Sequence, residues 1–147
     1  MANDRHIRDV MTANPVYVSD KDSIRDVARI MAREDTGVVP VCDNSRKIIG
    51  MITDRDIVVR LVAEGKDPAN AKVNEAMTKN VRAVKEDSTI DEALNVMKSA
   101  EVRRVPVVNS RNEIVGIVSM GDIAKETQQR GQVGEAVKDI SKAPPNN

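Results

Sequence analysis

The feature that most constrains this chain is a repeat of 66 positions, in which Met11–Ile57 aligns with Met77–Ile123 without a gap. Met11-Thr12 meets Met77-Thr78, and Asn14, Val18, Ile24 and Met31 meet Asn80, Val84, Ile90 and Met97. Val39-Pro40-Val41 meets Val105-Pro106-Val107, and Ile48, Gly50 and Asp56-Ile57 meet Ile114, Gly116 and Asp122-Ile123. Chance does not give such a match without insertions. One supersecondary unit has been built twice, and the fold must accommodate both copies.

Each copy predicts the same elements. A short strand lies at Val16–Val18, and again at Arg82–Val84. Ser23 and Thr89 stand as helix N-caps, with Glu92 completing a capping box after Thr89. In the first helix Ile24, Val27, Ala28 and Met31 fall at i, i+3, i+4, i+7, as do Ile90, Ala93, Leu94 and Met97 in the second, so each helix has one apolar stripe. Strands at Val38–Cys42 and Val105–Val108 turn through Asp43–Lys47 and Asn109–Glu113 into strands at Ile48–Ile52 and Ile114–Val118. A second helix follows, from Asp54 to Glu64 before Gly65 and Pro68, and from Gly121 to Gln129 in the other copy. Ahead of each copy sits a short amphipathic turn, Ile7 with Val10-Met11 and Val73 with Ala76-Met77. A repeat this small leaves one sheet face uncovered, so two repeats are expected to share one core. Past Gly131, Val133–Ile140 reads as one more helix and Ser141–Asn147 as a disordered tail.

The residues with chemistry also come in pairs. Gly50-Met51-Ile52-Thr53-Asp54-Arg55-Asp56 returns as Gly116-Ile117-Val118-Ser119-Met120-Gly121-Asp122. In each, an apolar pair ends a strand, and a hydroxyl and an aspartate sit where a helix starts. Unpaired N–H groups and a partial positive charge make that place receptive to an anion. An aspartate one turn in can also accept from two neighbouring hydroxyls, as a ribose offers. The competing structural reading is a plain N-cap with an acidic third helical residue.

Composition narrows the classes. Lys and Arg number 23 against 23 Asp and Glu, so no net field favours nucleic acid or an anionic membrane. Tyr17 is the one aromatic residue, which leaves no base-stacking platform and demands an aliphatic, methionine-rich core. The single Cys42 excludes an internal disulfide and suits a reducing compartment; with no signal peptide and no apolar run long enough to span a bilayer, a cytoplasmic protein is expected. Cys42 aligns with Val108 and reads as a small buried apolar residue, Arg55 and Arg60 as surface residues, and His6 as a surface histidine. No serine, cysteine or lysine is coupled to a histidine base and no metal cluster is visible, so an enzyme is the weakest reading.

The pattern resembles the tandem CBS (cystathionine beta-synthase) domain, or Bateman module, and in particular stand-alone CBS-pair proteins of the hypoxic-response type. Met11-Thr12, Thr36–Val41 and Gly50–Asp56 carry the resemblance with their partners Met77-Thr78, Val102–Val107 and Gly116–Asp122. It implies an α/β fold of two pseudo-twofold-related β-α-β-β-α repeats forming one module, with repeats at 7–66 and 67–130 and a C-terminal extension at 131–147. It further implies clefts for an adenosine compound such as AMP, ADP, ATP, S-adenosylmethionine or NAD, and a homodimer of two modules.

Carried over by position, one cleft would use Asp122, Ser119, Thr12 and Val16, with Thr36, Gly37 and Val38 as its other wall. The other would use Asp56, Thr53, Thr78, Arg82, Val102 and Arg103. Arg103 and Arg104 lie where basic residues of the family reach phosphates, and adjacent strand residues point to opposite faces. Gly37-Val38 departs from that basic pattern, so phosphate charge at the two clefts is unequal. A regulatory module responsive to an adenine nucleotide follows, the alternative being a dimerising scaffold without ligand, which has no need of a hydroxyl–aspartate pair in both copies.

Overall fold

The hairpins form where the turns place them. In the computed structural model, which describes residues 5–128, β2 (Val38–Cys42) pairs antiparallel with β3 (Ile48–Thr53), and β6 (Arg104–Val108) with β7 (Ile114–Ser119). The helices α1 (Ile24–Glu34) and α3 (Ile90–Ala100) precede them. Ser23 Oγ accepts from the Asp26 N–H at 3.1 Å and Thr89 Oγ1 from the Glu92 N–H at 3.2 Å, so both expected N-caps are made. The helix that follows the second hairpin, α4, runs Met120–Gln128.

Two strands were not foreseen. β1 (Thr12–Ala13) pairs antiparallel with β7, Thr12 opposite Ile117, and β4 (Thr78–Lys79) pairs with β3, Thr78 opposite Met51. Conversely, Val16–Val18 contributes only a parallel bridge from Val18 to Val41, whereas β5 (Val84–Lys85) is a short strand parallel to β6. One sheet therefore has the order β1-β7-β6-β5 and the other β2-β3-β4.

These pairings decide how the chain divides. Among the described residues, 5–14 and 82–128 form one compact unit and 15–81 the other. The leader of each copy thus belongs to the unit built on the other copy's hairpin. Each unit has its own aliphatic cluster. One gathers Ile7, Ile90, Met97, Val105, Val107 and Ile123, and the other Ile24, Val27, Val39, Val41, Ile52, Leu61 and Val73. The stripe of α3 is buried at all four positions; in α1 Ile24 and Val27 are buried, Met31 is half-buried and Ala28 is exposed. Val133–Ile140 and the tail at 141–147 lie outside the described residues.

The helix expected over Asp54–Glu64 is the main departure. α2 (Asp54–Ile57) gives way at once to a π-helical turn at Val58–Val62, closed by the Ala63 N–H on the Val58 carbonyl at 2.9 Å. The wider turn buries Leu61 fully and leaves Val58, Val59 and Val62 exposed.

The two glycines of the repeated motif have a steric reason. A Cβ on Gly50 would stand 2.6 Å from the Thr78 carbonyl oxygen, and one on Gly116 would stand 3.0 Å from that of Thr12 and run into the Met11 sulfur. Only a residue without Cβ lets the leader strand lie against the central strand. Gly50→Ala is expected to destabilise the protein by about 2 kcal/mol, because backbone rather than a flexible side-chain end must move. Chemical denaturation checks this, and an unchanged midpoint would contradict it.

Candidate functional site

β3 and β7 each deliver a hydroxyl to a helix start, and the repeat holds there almost atom for atom. Thr53 Oγ1 accepts from the Asp56 N–H at 3.0 Å, while Asp56 Oδ2 accepts from the Thr53 N–H at 2.9 Å. Ser119 Oγ accepts from the Asp122 N–H at 3.0 Å, and Asp122 Oδ2 from the Ser119 N–H at 3.0 Å. Both motifs are therefore reciprocal capping boxes. Each box occupies the Oδ2 oxygen and leaves Oδ1 outside it. A carboxylate has about four lone-pair sites, so the box does not exhaust its capacity to accept from a ligand diol.

The surroundings of the two carboxylates differ in charge. Arg60 Nε lies 3.9 Å from Asp56 Oδ1, and its Nη1 donates to the carbonyls of Ala76 at 3.1 Å and Met77 at 2.9 Å. Arg60 is exposed, as expected of a surface residue, yet its guanidinium has partners. It ties the motif helix to the segment that leads into Thr78. The position 66 residues on holds Glu126, which pairs with Arg5 at 2.9 Å. A depression of about 300 Å³ in that unit is lined by Asp9, Val10, Asp122, Lys125 and Glu126.

The other expected site residues divide between the units. Thr53, Asp56 and Thr78 share one unit with Val16, Thr36, Gly37 and Val38. Thr78 is exposed on β4, Val16 is 37% exposed, and the buried Val38 pairs with Thr53. Thr36 Oγ1 donates to the Val38 carbonyl at 3.1 Å, and the Gly37 carbonyl accepts from the Asp54 N–H at 3.0 Å. Thr12, Arg82, Val102, Arg103 and Arg104 share the other unit with Ser119 and Asp122. Thr12 is exposed on β1, Val102 packs on the core, and Arg82 Nη1 donates to Ser99 Oγ on α3 at 2.9 Å. Arg104, exposed, stands opposite Ser119 in the ladder, and half-buried Arg103 accepts from the Met120 N–H through its carbonyl at 2.7 Å.

Cys42 is buried, and burial first, then the Asp43 carboxylate, pushes its thiol up to about 12, so it carries no thiolate at neutral pH. No group of three or more His, Cys, Asp or Glu side chains among the described residues could hold a metal ion, and no helix among them is long and apolar enough to cross a membrane.

The family model described as the CBS domain matches residues 7–63 and again 73–128. The chain belongs to the CBS domain family. Hypoxic response protein 1 of Mycobacterium tuberculosis is 37% identical over 126 residues, which span 86% of this chain and 87% of that one. A solved structure of Hypoxic Response Protein I with two coordinated zinc ions is 36% identical with a TM-score of 0.76, covering 82% of this chain and 98% of that chain. The CBS domain pair of protein MJ0100, solved in complex with 5'-methylthioadenosine and S-adenosyl-L-methionine, is 28% identical with a TM-score of 0.76, over 86% of this chain and 98% of that one.

Sequence reasoning missed the residues that set each aspartate's surroundings, Arg60, Asp9 and Glu126. Reading the helix after the motif position by position across the repeat would have found the reversal of charge between Arg60 and Glu126. Arg60→Ala removes two charge-assisted hydrogen bonds from a half-exposed side chain and is expected to cost about 1 kcal/mol. Hydrogen exchange should show faster opening at Thr78 and Lys79; unchanged protection there would refute the tie.

Proposed function

We propose that this protein is a regulatory module whose two hydroxyl–aspartate motifs hold the ribose of an adenosine-containing ligand, with no chemical step of its own. The observation that carries the reading is the retention of both motifs in one geometry, Thr53 with Asp56 and Ser119 with Asp122. Each box engages only the Oδ2 of its aspartate, so Oδ1 lies outside the structural role and is the oxygen offered to a ligand. The likeness to a CBS pair solved with two adenosyl ligands supports the ligand class.

AMP, ADP and ATP are the ligands best suited to the Asp122 motif, because Arg104 faces Ser119 across the ladder and Arg103 is next to it. Glu126 in the same unit is offset by Arg5. The Asp56 motif has Gly37-Val38 at the corresponding positions, without a side-chain donor. A hydrogen bond to a charged group contributes about 1.5–3 kcal/mol, so the two events should differ about tenfold or more in affinity. In titration calorimetry with the three nucleotides, Asp122→Ala should abolish the tighter event and Asp56→Ala spare most of it. If Asp56→Ala removes the tighter event, or neither change matters, the assignment is wrong.

A homodimer belongs to the same reading. Val58, Val59 and Val62 are 56%, 47% and 55% exposed on one π-helical turn, an apolar patch that a second copy would cover. Light scattering at micromolar concentration should give a dimer, and Val59→Lys/Val62→Lys should give a monomer. A monomeric wild type would refute this.

A further inference from the structure

The two motifs differ most in charge at one cross-strand pair just beyond the hydroxyl. In the ladders, Val38 is opposite Thr53 and Arg104 is opposite Ser119. One step further, the Asp54 N–H donates to the Gly37 carbonyl at 3.0 Å, and the Met120 N–H to the Arg103 carbonyl at 2.7 Å. Position 37 therefore faces 54 as 103 faces 120. A Cβ on Gly37 would stand 2.9 Å from Asp54 Oδ2, 3.2 Å from its Cγ and 3.3 Å from Oδ1. The whole carboxylate lies over the glycine, and the Arg55 N–H donates to its Oδ1 at 2.8 Å. In the other copy Met120 is buried in the core and the residue facing it is an arginine. An exposed carboxylate thus stands beside the first hydroxyl cap, where a guanidinium-bearing residue stands beside the second.

We propose that Asp54, seated over Gly37, is a specificity-determining residue that disfavours phosphorylated ligands at the Asp56 motif and tunes that motif toward an adenosine derivative without phosphate. The proposal rests on the reading that both motifs hold an adenosine ribose. The ribose is neutral and meets the same capping box in either copy, so it binds both motifs alike. A phosphate group carried on that ribose meets a like charge beside Thr53 and an opposite one beside Ser119. Gly37 is part of the device, because any side chain there would displace the carboxylate. The absence of an arginine at position 37 is then a consequence of Asp54, not an independent loss.

The test has one arm that rebuilds the pair at positions 37 and 54 and one that neutralises Asp54. Gly37→Arg has only the exposed end of Asp54 to push aside, so it should keep a melting temperature close to that of wild type, and both it and Gly37→Arg/Asp54→Met, which copies the second motif, should tighten AMP at the first motif. Unchanged AMP affinity at that motif in Gly37→Arg/Asp54→Met would overturn the exclusion. In calorimetry, AMP and uncharged adenosine are titrated into wild type and Asp54→Asn, with Asp56→Ala marking which event belongs to the first motif. Asp54→Asn should tighten AMP at that motif by about fivefold at about 20 mM salt, by clearly less at about 300 mM, and leave adenosine unchanged. An equal gain for adenosine and AMP, or no gain, overturns the exclusion while the adenosine reading stands. A wild type that binds neither compound overturns that reading, and this proposal with it.

Discussion

Each unit depends on one close crossing of two backbones. At Gly50 the chain of β4 passes so near β3 that the Thr78 carbonyl fills the place of a side chain, and Thr12 crosses β7 at Gly116 in the same way. The crossing brings in more than a two-residue strand. It seats the turn ahead of it, so that Val73, Ala76 and Met77 enter one core and Ile7 enters the other. In this way a segment distant in sequence closes the edge of each central strand, and its backbone groups are satisfied at the moment its apolar side chains are buried. A methyl group at the crossing would cost both at once.

The motif helices start one residue after these strands end, so the geometry of the crossing is passed on to the candidate site. There the structural and the functional readings of the hydroxyl and the aspartate coincide. In each capping box one hydrogen bond holds the carboxylate of Asp56 or Asp122 and the other holds the hydroxyl of Thr53 or Ser119, so the oxygen left outside the box has a fixed place. A helix start satisfied in this way is a rigid platform, and rigidity is what a shared ribose contact requires. The Arg60 tie extends that rigidity from the Asp56 helix to the segment entering Thr78.

What was legible in the sequence was whatever has a period or a fixed spacing. The hairpins, α1, α3 and both capping boxes fall where alternation, the apolar stripes and the hydroxyl–aspartate spacing place them. What was not legible depends on partners far along the chain. Two-residue strands such as β1 and β4 are too short for a period to show, and Thr12 has no sequence mark that points to Ile117. The π-helical turn at Val58–Val62 has no composition of its own, since a run of valines fits an α-helix or a strand equally well. Arg82 was expected to border a cleft, and its bond to Ser99 on α3 could not be read from the sequence. Arg60 looked like a surface residue and binds two carbonyls, because helical spacing does not reveal which face meets an irregular segment.

The repeat is preserved in backbone and broken in charge. Six non-glycine residues among those described have a left-handed backbone, and they fall into three pairs: Asn14 with Asn80, Asp35 with Glu101, and Arg46 with Asn112. Such conformations cost on the order of 1 kcal/mol for a residue with a Cβ, so their recurrence shows how closely the two chain paths match. Against that constancy, Gly37 stands for Arg103, Asp54 for Met120 and Arg60 for Glu126, and each exchange alters charge. All three positions sit in or beside the motif helices, whereas the buried stripe positions of α1 and α3 remain apolar. On the proposed reading, two capping boxes of one shape with different charge beside them would distinguish a phosphorylated ligand from an unphosphorylated one. That distinction makes the asymmetry between Asp56 and Asp122 a property of the pair, which neither motif possesses alone.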